Sequence, residues 1–216
     1  MIPVVVLASG RGSNFEALIH ASKSQVLSGV RIEALISDRS QAGALALAKK
    51  NLIPAIHVPF PEPGCDLEKR RRMHGERLLK ELEKFQPRFL VLAGYMRILP
   101  KLVLDSFRDP RGYCRIVNIH PSLLPAFPGV DSYAQAFHYG AKVSGVTVHL
   151  VEEGVDTGPI CAQRSFSLES CCSEKEVEAQ GLKIEHELFP ETLNWVLKEE
   201  FSIEELPQGR LRVCKS

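Results

Sequence analysis

The chain of 216 residues lacks the features that mark several large classes of protein. No apolar run approaches the roughly 18 residues that a membrane span needs, and the N-terminus has no signal-peptide pattern. The formal net charge is only +1, whereas nucleic-acid-binding proteins usually carry a strong basic excess. We therefore expect a cytoplasmic protein with neither nucleic-acid nor membrane partners. The sequence leaves open whether the protein is a monomer or a homodimer.

Patterns of metal ligands and disulfides are also missing. The six cysteines form no C-x-x-C pair, and the adjacent Cys171 and Cys172 are poorly spaced for a metal ion. No zinc or calcium ligand spacing is visible. The sequence therefore predicts reduced thiols and no metal cofactor.

What the sequence does contain is an alternation of short apolar runs with amphipathic segments. Strands are predicted at 4–8, 32–36, 55–58, 89–93, 116–120, 143–151 and 160–166, and helices at 15–19, 44–50, 67–85, 132–139 and 173–197. We expect Pro190 to bend or restart the last helix, and the tail to add a strand at 210–213.

This alternation predicts an α/β fold with a Rossmann-like, mostly parallel, twisted sheet and helices on both faces. Because no break in composition suggests a linker, we expect a single domain over 1–216. Its first half, 1–110, would be the mononucleotide-binding half, and 111–216 would carry the catalytic residues.

The most informative stretch is the strand predicted at 116–120. It ends at Pro121, which has no N–H for a sheet ladder. Because side chains alternate along a strand, Asn118 and His120 point to the same side. They lie at the carboxyl end of the strand, where open α/β sheets bind ligands. An amide beside an imidazole suits oxyanion stabilisation and proton transfer.

A carboxylate from a later loop would complete this pair. Asp156 lies in a turn-rich, glycine-flanked loop, and beside His120 it would orient the imidazole and raise its pKa. Nucleophilic chemistry fits less well. Ser122 lacks a G-x-S-x-G elbow, and no cysteine is marked as activated.

The turn after the first strand favours an anion. Gly12 lets backbone approach a phosphate, and Ser13 and Asn14 add donors at a helix N-terminus. Asp38 is placed like the ribose-binding acid of a Rossmann enzyme, but Phe15 stands where a dinucleotide fingerprint needs its third glycine. The turn alone fits equally well a plain strand-to-helix connection capped by Ser13 or Asn14.

An apolar loop follows the strand at 89–93. Met96, Ile98 and Leu99 could wall a flat aromatic ligand, and they fit a core position equally well. Arg97 lies inside this loop and needs a partner, because an unpaired buried charge is costly.

Four segments together resemble the phosphoribosylglycinamide formyltransferase (glycinamide ribonucleotide transformylase) family of the folate-dependent formyltransferase superfamily. They are SGRGSN at 9–14, AGYMRIL at 93–99, NIHPSLLP at 118–125 and GVDTGP at 154–159. The motifs occur in the family's order and approximate spacing. The resemblance extends to about Trp195.

The resemblance implies a formyltransferase fold and a reaction. The formyl group of 10-formyltetrahydrofolate, a co-substrate, would pass to the amine of glycinamide ribonucleotide in purine biosynthesis, through a tetrahedral intermediate. By motif match, Asn118 would stabilise the oxyanion, His120 would be the acid, and Asp156 would raise the pKa of His120.

The resemblance also implies binding residues. The nucleotide would contact Gly12, Ser13, Asn14 and Glu185. The folate would contact Met96, Arg97, Ile98 and Leu99, and one arginine of the run Arg70, Arg71 and Arg72. Counting residues back from Pro87 without gaps favours Arg71 for this contact, while Arg70 and Arg72 stay possible.

The chain departs from the family at three positions. Asp131 and Tyr133 stand where the family commonly has histidines, and Leu182 replaces a usually polar residue one helical turn before Glu185. These changes bear on the substrate assignment more than on the chemistry.

Three alternative functions are weighed against the transferase. A formyltetrahydrofolate deformylase would pass the formyl group to water, but normally carries an extra N-terminal domain. A methionyl-tRNA formyltransferase normally adds a C-terminal RNA-binding domain, and the near-neutral charge also disfavours it. A catalytically idle nucleotide-binding module is disfavoured by the complete set of Asn118, His120 and Asp156.

Overall fold

The computed structural model describes residues 1–216, apart from the side chain of Gln208. Seven strands form the central sheet: β1 Ile2–Leu7, β2 Val30–Ser37, β3 Ala55–His57, β4 Phe89–Leu92, β5 Ile116–His120, β6 Val143–Leu150 and β7 Ile160–Ser167. Their order is β3-β2-β1-β4-β5-β6-β7. The strands from β1 to β5 pair in parallel, and β6 and β7 add antiparallel. The predicted mostly parallel α/β sheet is confirmed.

Six helices accompany the sheet: α1 Ser13–Lys23, α2 Gly43–Lys50, α3 Leu67–Leu82, α4 Lys101–Ser106, α5 Ser132–Tyr139 and α6 Glu174–Val196. One core cluster joins α1, α2 and α6 to the sheet, and a second joins α3 and α4 to its other side. Adjacent strand residues alternate between the clusters; Val4 and Val6 belong to the first, and Val5 and Leu7 to the second. Strands buried on both faces have continuous apolar sequences, which explains why they were predictable.

Three sequence predictions need correction. Helix α4 was not predicted, because six residues with two buried apolar positions give no usable helical period. Pro190 does not restart α6, which continues through it with the proline buried, and the bend stays a prediction; tertiary packing stabilises helices more than local propensity does. The tail forms a hairpin of β8 Phe201–Glu205 and β9 Leu211–Lys215, of which only the second strand was predicted.

The strand order determines where loops meet. The chain proceeds from β1 outward to β2 and β3, and then returns to place β4 on the other side of β1. The loops that leave the carboxyl ends of β1 and β4 therefore diverge at this switch point, where α/β sheets open a ligand crevice. One sheet contains strands from both predicted halves, and the division at residue 110 stays a prediction.

A polar cluster anchors the end of α6 to the sheet. Glu199 accepts hydrogen bonds from Tyr113 Oη and Arg115 Nε, each at 2.9 Å, and forms an ion pair with Arg88. Asp109 is buried in the same cluster, with Arg115 Nη2 at 2.5 Å and Arg111 Nε at 2.8 Å. Both carboxylates are thus compensated by charge.

Across the described residues, no helix is long and apolar enough to cross a membrane.

Candidate active site

Strands β5 and β6 bring two pairs of polar side chains to one face of the sheet. Asn118 lies opposite His149, and His120 lies opposite Thr147. Asn118 Nδ2 is 3.1 Å from His149 Nε2, and His149 Nδ1 is 2.8 Å from the Leu150 carbonyl oxygen. Because Nδ1 faces an acceptor, it carries a proton, and in the neutral ring Nε2 then accepts an Asn118 N–H. Nε2 also lies 3.7 Å from Asp156 Oδ1, toward which it points a proton in the imidazolium form. The second N–H of the amide is left to meet a ligand.

The structure brings Asp156 to His120. His120 Nδ1 lies 3.2 Å from Asp156 Oδ2, which also accepts the Gly129 N–H at 2.8 Å. His120 Nε2 lies 2.9 Å from the Phe127 carbonyl oxygen and 3.1 Å from Ser132 Oγ. In the imidazolium form both ring nitrogens donate to these oxygens. In the neutral form one nitrogen has no proton, and the carbonyl or carboxylate oxygen that faces it loses its donor. The hydrogen-bond partners therefore favour the imidazolium form.

The expected rise in the pKa of His120 does not occur. Burial lowers the pKa of this imidazole, which is only 3% exposed, and His149 lowers it further. The Phe127 carbonyl and the Asp156 carboxylate both act to raise it, but burial outweighs them. The effect of Asp156 has the predicted direction, while the net shift is opposite, because desolvation disfavours the charged ring.

Asp156 shows the complementary behaviour. Burial would raise its pKa, but contacts with His149 and the Gly129 N–H, together with the nearby His120, hold the pKa below its usual value. Asp156 is therefore a carboxylate at neutral pH beside an imidazole that is largely neutral. A proton placed on this ring is readily given up again.

The turn after β1 is built around a glycine. Gly12 has a φ of +89°, and a Cβ there would lie 2.8 Å from the Ala44 Cα. Helix α1 begins at Ser13 with no side-chain cap, so its first N–H groups are not satisfied by Ser13 or Asn14. The capped-turn alternative is thus wrong, and an uncapped helix N-terminus remains for an anion.

Asn14 does not face outward from this turn. Its side chain is buried, and Nδ2 donates to Glu185 Oε2 at 2.5 Å. Tyr133 Oη donates to the other carboxylate oxygen of Glu185 at 2.6 Å. The predicted residues Asn14 and Glu185 are therefore in direct contact, and the departure at Tyr133 lies in the same cluster.

The loop after β4 is divided between surface and core. Met96 is 55% exposed and Ile98 is 44% exposed, whereas Leu99 belongs to the core cluster around α3 and α4. The core alternative therefore holds for Leu99 only. The two exposed apolar side chains are the ones that a flat ligand could cover.

Arg97 has the partner that its position required. Its Nε donates to Asp38 Oδ2 at 2.6 Å, and its guanidinium lies 4.4 Å from the centre of the Phe60 ring. Asp38 Oδ1 accepts the Ser9 hydroxyl at 2.5 Å, and Ser9 Oγ accepts the Met96 N–H at 2.8 Å. Asp38 therefore joins the ends of β1 and β2 to the loop after β4. Because its carboxylate is occupied by these contacts, its position no longer favours a dinucleotide-binding function.

The arginine run on α3 divides into three environments. Arg70 lies over the Phe60 ring at 5.0 Å, and Arg72 pairs with Glu76 at 3.1 Å. Arg71, half-buried, enters no ion pair with any side chain that the structure describes. Arg70, whose Nε donates to the Pro61 carbonyl oxygen at 2.9 Å, enters no ion pair with a described side chain either. The choice of Arg71 for a ligand carboxylate therefore stays a prediction.

Sequence reasoning missed three neighbours of the central pair: His149, Ser132 and the Phe127 carbonyl. Thr147 and His149 share one face of β6. Their register against Asn118 and His120 depends on antiparallel pairing, which nothing local in the sequence reveals.

No cluster of three or more potential metal ligands occurs among the described side chains. None of the cysteines that the structure describes takes part in a disulfide bond.

Comparison with known proteins gives consistent matches over most of the chain. Residues 2–193 match the model of a family described as formyl transferase. A phosphoribosylglycinamide formyltransferase of Bacillus subtilis is 35% identical over 192 residues, which cover 89% of this chain and 93% of the relative. Glycinamide ribonucleotide transformylase 1 from Symbiobacterium toebii superposes with a TM-score of 0.85 at 32% identity, covering 100% of this chain and 95% of that structure.

A formyltetrahydrofolate deformylase from Pseudomonas syringae is also similar. Its TM-score is 0.83 at 26% identity, and the match covers 100% of this chain but 66% of that structure.

Proposed function

The chain belongs to the formyl transferase family, as its motifs predicted, and we propose that it transfers the formyl group of 10-formyltetrahydrofolate to the amine of glycinamide ribonucleotide. The relatives at 35% and 32% identity carry names for this activity. The observation that carries the proposal is the cluster of Asn118, His120 and Asp156 at the carboxyl end of β5, with the His120 Nδ1 and Asp156 Oδ2 atoms 3.2 Å apart. The product would feed purine biosynthesis.

The reaction needs a site for negative charge and a source of a proton. The substrate amine attacks the formyl carbon, and the carbonyl oxygen becomes an oxyanion. Asn118, oriented by His149 across 3.1 Å, donates its remaining N–H to that oxygen. Because an amide brings no charge, it favours the oxyanion without competing for protons.

Collapse of the intermediate breaks the bond between the formyl carbon and N10 of the folate. The attacking nitrogen gives up one proton and N10 gains one, so the net reaction conserves protons. His120 is placed to carry that proton, because burial makes its imidazolium a stronger acid and Asp156 stabilises the imidazolium while it exists.

The two substrates are assigned to the crevice at the switch point of the sheet. The uncapped N-terminus of α1, with Gly12 and Ser13, would hold the nucleotide phosphate. Met96 and Ile98 would cover the pterin ring, Arg97 would line it, and Arg71 would meet the folate carboxylate.

Deformylation is the second candidate, and the structural similarity to a deformylase favours it specifically. The same Asn118, His120 and Asp156 would serve, with water in place of the amine. The two functions differ only in whether the nucleotide is required for turnover.

The deciding experiment follows the absorbance change as 10-formyltetrahydrofolate loses its formyl group, with and without glycinamide ribonucleotide. We expect turnover only in the presence of the nucleotide. Equal turnover without it would identify a hydrolase. Absence of turnover, together with a thermal shift on adding the nucleotide, would identify a binding module.

A further inference from the structure

Glu185 is a buried carboxylate that lacks a compensating cation. It is 5% exposed, and its two oxygens accept from Tyr133 Oη at 2.6 Å and from Asn14 Nδ2 at 2.5 Å. Both donors are neutral, and Glu185 enters no ion pair with any described side chain. Burial without a cation disfavours the carboxylate form, and a ligand that donates to its oxygens would favour that form.

A second polar group beside Glu185 is also incomplete. Asn14 is 7% exposed, and its Oδ1 is buried without a hydrogen-bond partner. Buried amide oxygens are nearly always satisfied. The two oxygens of Glu185 both face hydrogen-bond donors, and the neighbouring Asn14 Oδ1 is a vacant acceptor. This arrangement favours a ligand with N–H groups.

The phenol of Tyr133 is built into this site by the helix beneath it. Gly181 lies one turn before Glu185 on α6, and a Cβ on Gly181 would come within 2.1 Å of Tyr133 Oη and Cζ. Residues four apart on a helix share a face. The tyrosine therefore occupies the volume that the glycine leaves, and from there its hydroxyl reaches Glu185. The ring also contacts Phe166 edge to face.

We propose that Tyr133 is a positioning residue that holds Glu185 ready for the amine-bearing nucleotide. The proposal rests on the proposed function. The phenol orients one carboxylate oxygen without neutralising its charge, so that Glu185 and Asn14 Oδ1 together present acceptors to the substrate's N–H groups. Tyr133 contributes to nucleotide affinity in this way, and takes no part in the chemistry at the formyl carbon.

The electrostatic surroundings of Glu185 give this role a pH signature. Burial raises the pKa of Glu185, and the hydrogen bonds from Tyr133 and Asn14 oppose that rise. The charged or titratable groups that act on it are Tyr133 from α5 and His186 and Glu178 from α6, while α1 contributes the neutral Asn14. Removing the phenol hydroxyl therefore raises the pKa of Glu185 further.

The test is Tyr133→Phe, which keeps the ring over Gly181 and removes only the hydroxyl. Because a hydrogen bond to a charged group is lost, we expect the KM for the nucleotide to rise about tenfold, with kcat within about twofold and an unchanged KM for the folate. The acid limb of kcat/KM for the nucleotide should move to higher pH. Tyr139→Phe is the matched control, since Tyr139 lies on the same helix with 82% of its surface exposed.

The outcomes separate this inference from the proposed function. If Tyr133→Phe has the kcat and the nucleotide KM of the wild type, this inference is wrong while the proposed function stands. Equal losses for both substrates with an unmoved pH profile would assign the hydroxyl a merely structural role and also overturn it. Failure of the wild type to use the nucleotide would remove the proposed function and, with it, this inference.

Discussion

Arg97 and Asp38 form an ion pair, with Nε of the guanidinium 2.6 Å from Oδ2 of a carboxylate whose side chain is 0% exposed. The pair connects the end of β2 to the loop after β4. Ser9 extends it to the turn that precedes α1. Three segments that are far apart in sequence thereby share one buried carboxylate, and these segments line the proposed crevice for both substrates.

Asp38→Asn should loosen this junction. The variant loses a charge-assisted hydrogen bond and leaves the half-buried Arg97 without its counter-charge, so we expect the free energy of unfolding to fall by about 1–3 kcal/mol. Urea denaturation measures this change. Asp105→Asn, in an exposed pair with Lys101, is the control and should change stability by less than about 0.5 kcal/mol. If the two substitutions lower the free energy of unfolding equally, the ion pair between Asp38 and Arg97 does not stabilise the fold more than an exposed pair does.

His120→Ala should remove the proton carrier while the fold persists. We expect kcat for formyl transfer to fall by roughly 10²–10⁴-fold, the usual contribution of a positioned acid or base. Steady-state kinetics with saturating folate and nucleotide measure it. His138→Ala serves as a control because that imidazole is 66% exposed and pairs with Glu174. A kcat near that of the wild type in His120→Ala would exclude the assigned role.

Asn118→Ala should remove the oxyanion donor. The loss of one preorganised donor predicts a decrease in kcat of roughly 10²–10³-fold, with small changes in both KM values because the interaction forms mainly in the transition state. The same assay separates kcat from KM. Changes confined to KM would show that Asn118 binds substrate and does not stabilise the oxyanion.

Asp156→Asn should change the pH dependence of catalysis. The Asp156 carboxylate raises the pKa of His120 against the effect of burial, so its removal lowers that pKa further. His120 begins the proposed proton transfer as a neutral imidazole, so activity is lost as pH falls through its pKa. We therefore expect the acid limb of the pH–rate profile to move to lower pH. An unmoved limb in the variant would show that Asp156 does not tune His120.

Asp109 should make stability depend on pH in the acid range. The hydrogen bond from Arg111 is the main cause that lowers the pKa of Asp109 to about 2, well below the usual range of an aspartate. A lowered carboxyl pKa stabilises the fold fully above the unfolded-state value, and this stability is lost as pH falls through the folded-state value. We expect Asp109 to contribute about 2 kcal/mol that disappears between about pH 4 and pH 2.

Thermal unfolding across that range would measure the Asp109 contribution. Asp109→Asn should flatten the dependence between these two pH values, because the amide does not titrate. The same slope in the variant and the wild type would assign the acid sensitivity to other carboxylates.

Local pattern made much of the fold predictable. The strands that are buried on both faces have continuous apolar sequences, and Pro121 fixes the end of β5 within the same few residues that carry Asn118 and His120. Helix α4 was not predicted because its six residues are too few to show a helical period. Strand β8 was not predicted because it is stabilised by pairing with β9 in a hairpin.

Local sequence was enough to infer the strand–helix alternation, the shared face of Asn118 and His120, and the family. Periodicity, proline chemistry and motif order are all local properties of the chain, which is why they could be read without coordinates. They also placed Arg97 where a partner was required, although they did not identify Asp38 as that partner.

Which distant groups meet, and how their surroundings shift their pKa values, depends on the packing of the whole chain. It brought Asp156 to His120, yet burial lowered the pKa of the imidazole against the carboxylate's effect. It also placed Tyr133 in the space above Gly181 and against Glu185. Contacts across tens of residues and the desolvation of a side chain are properties of the packed molecule, because both depend on which surfaces exclude water together.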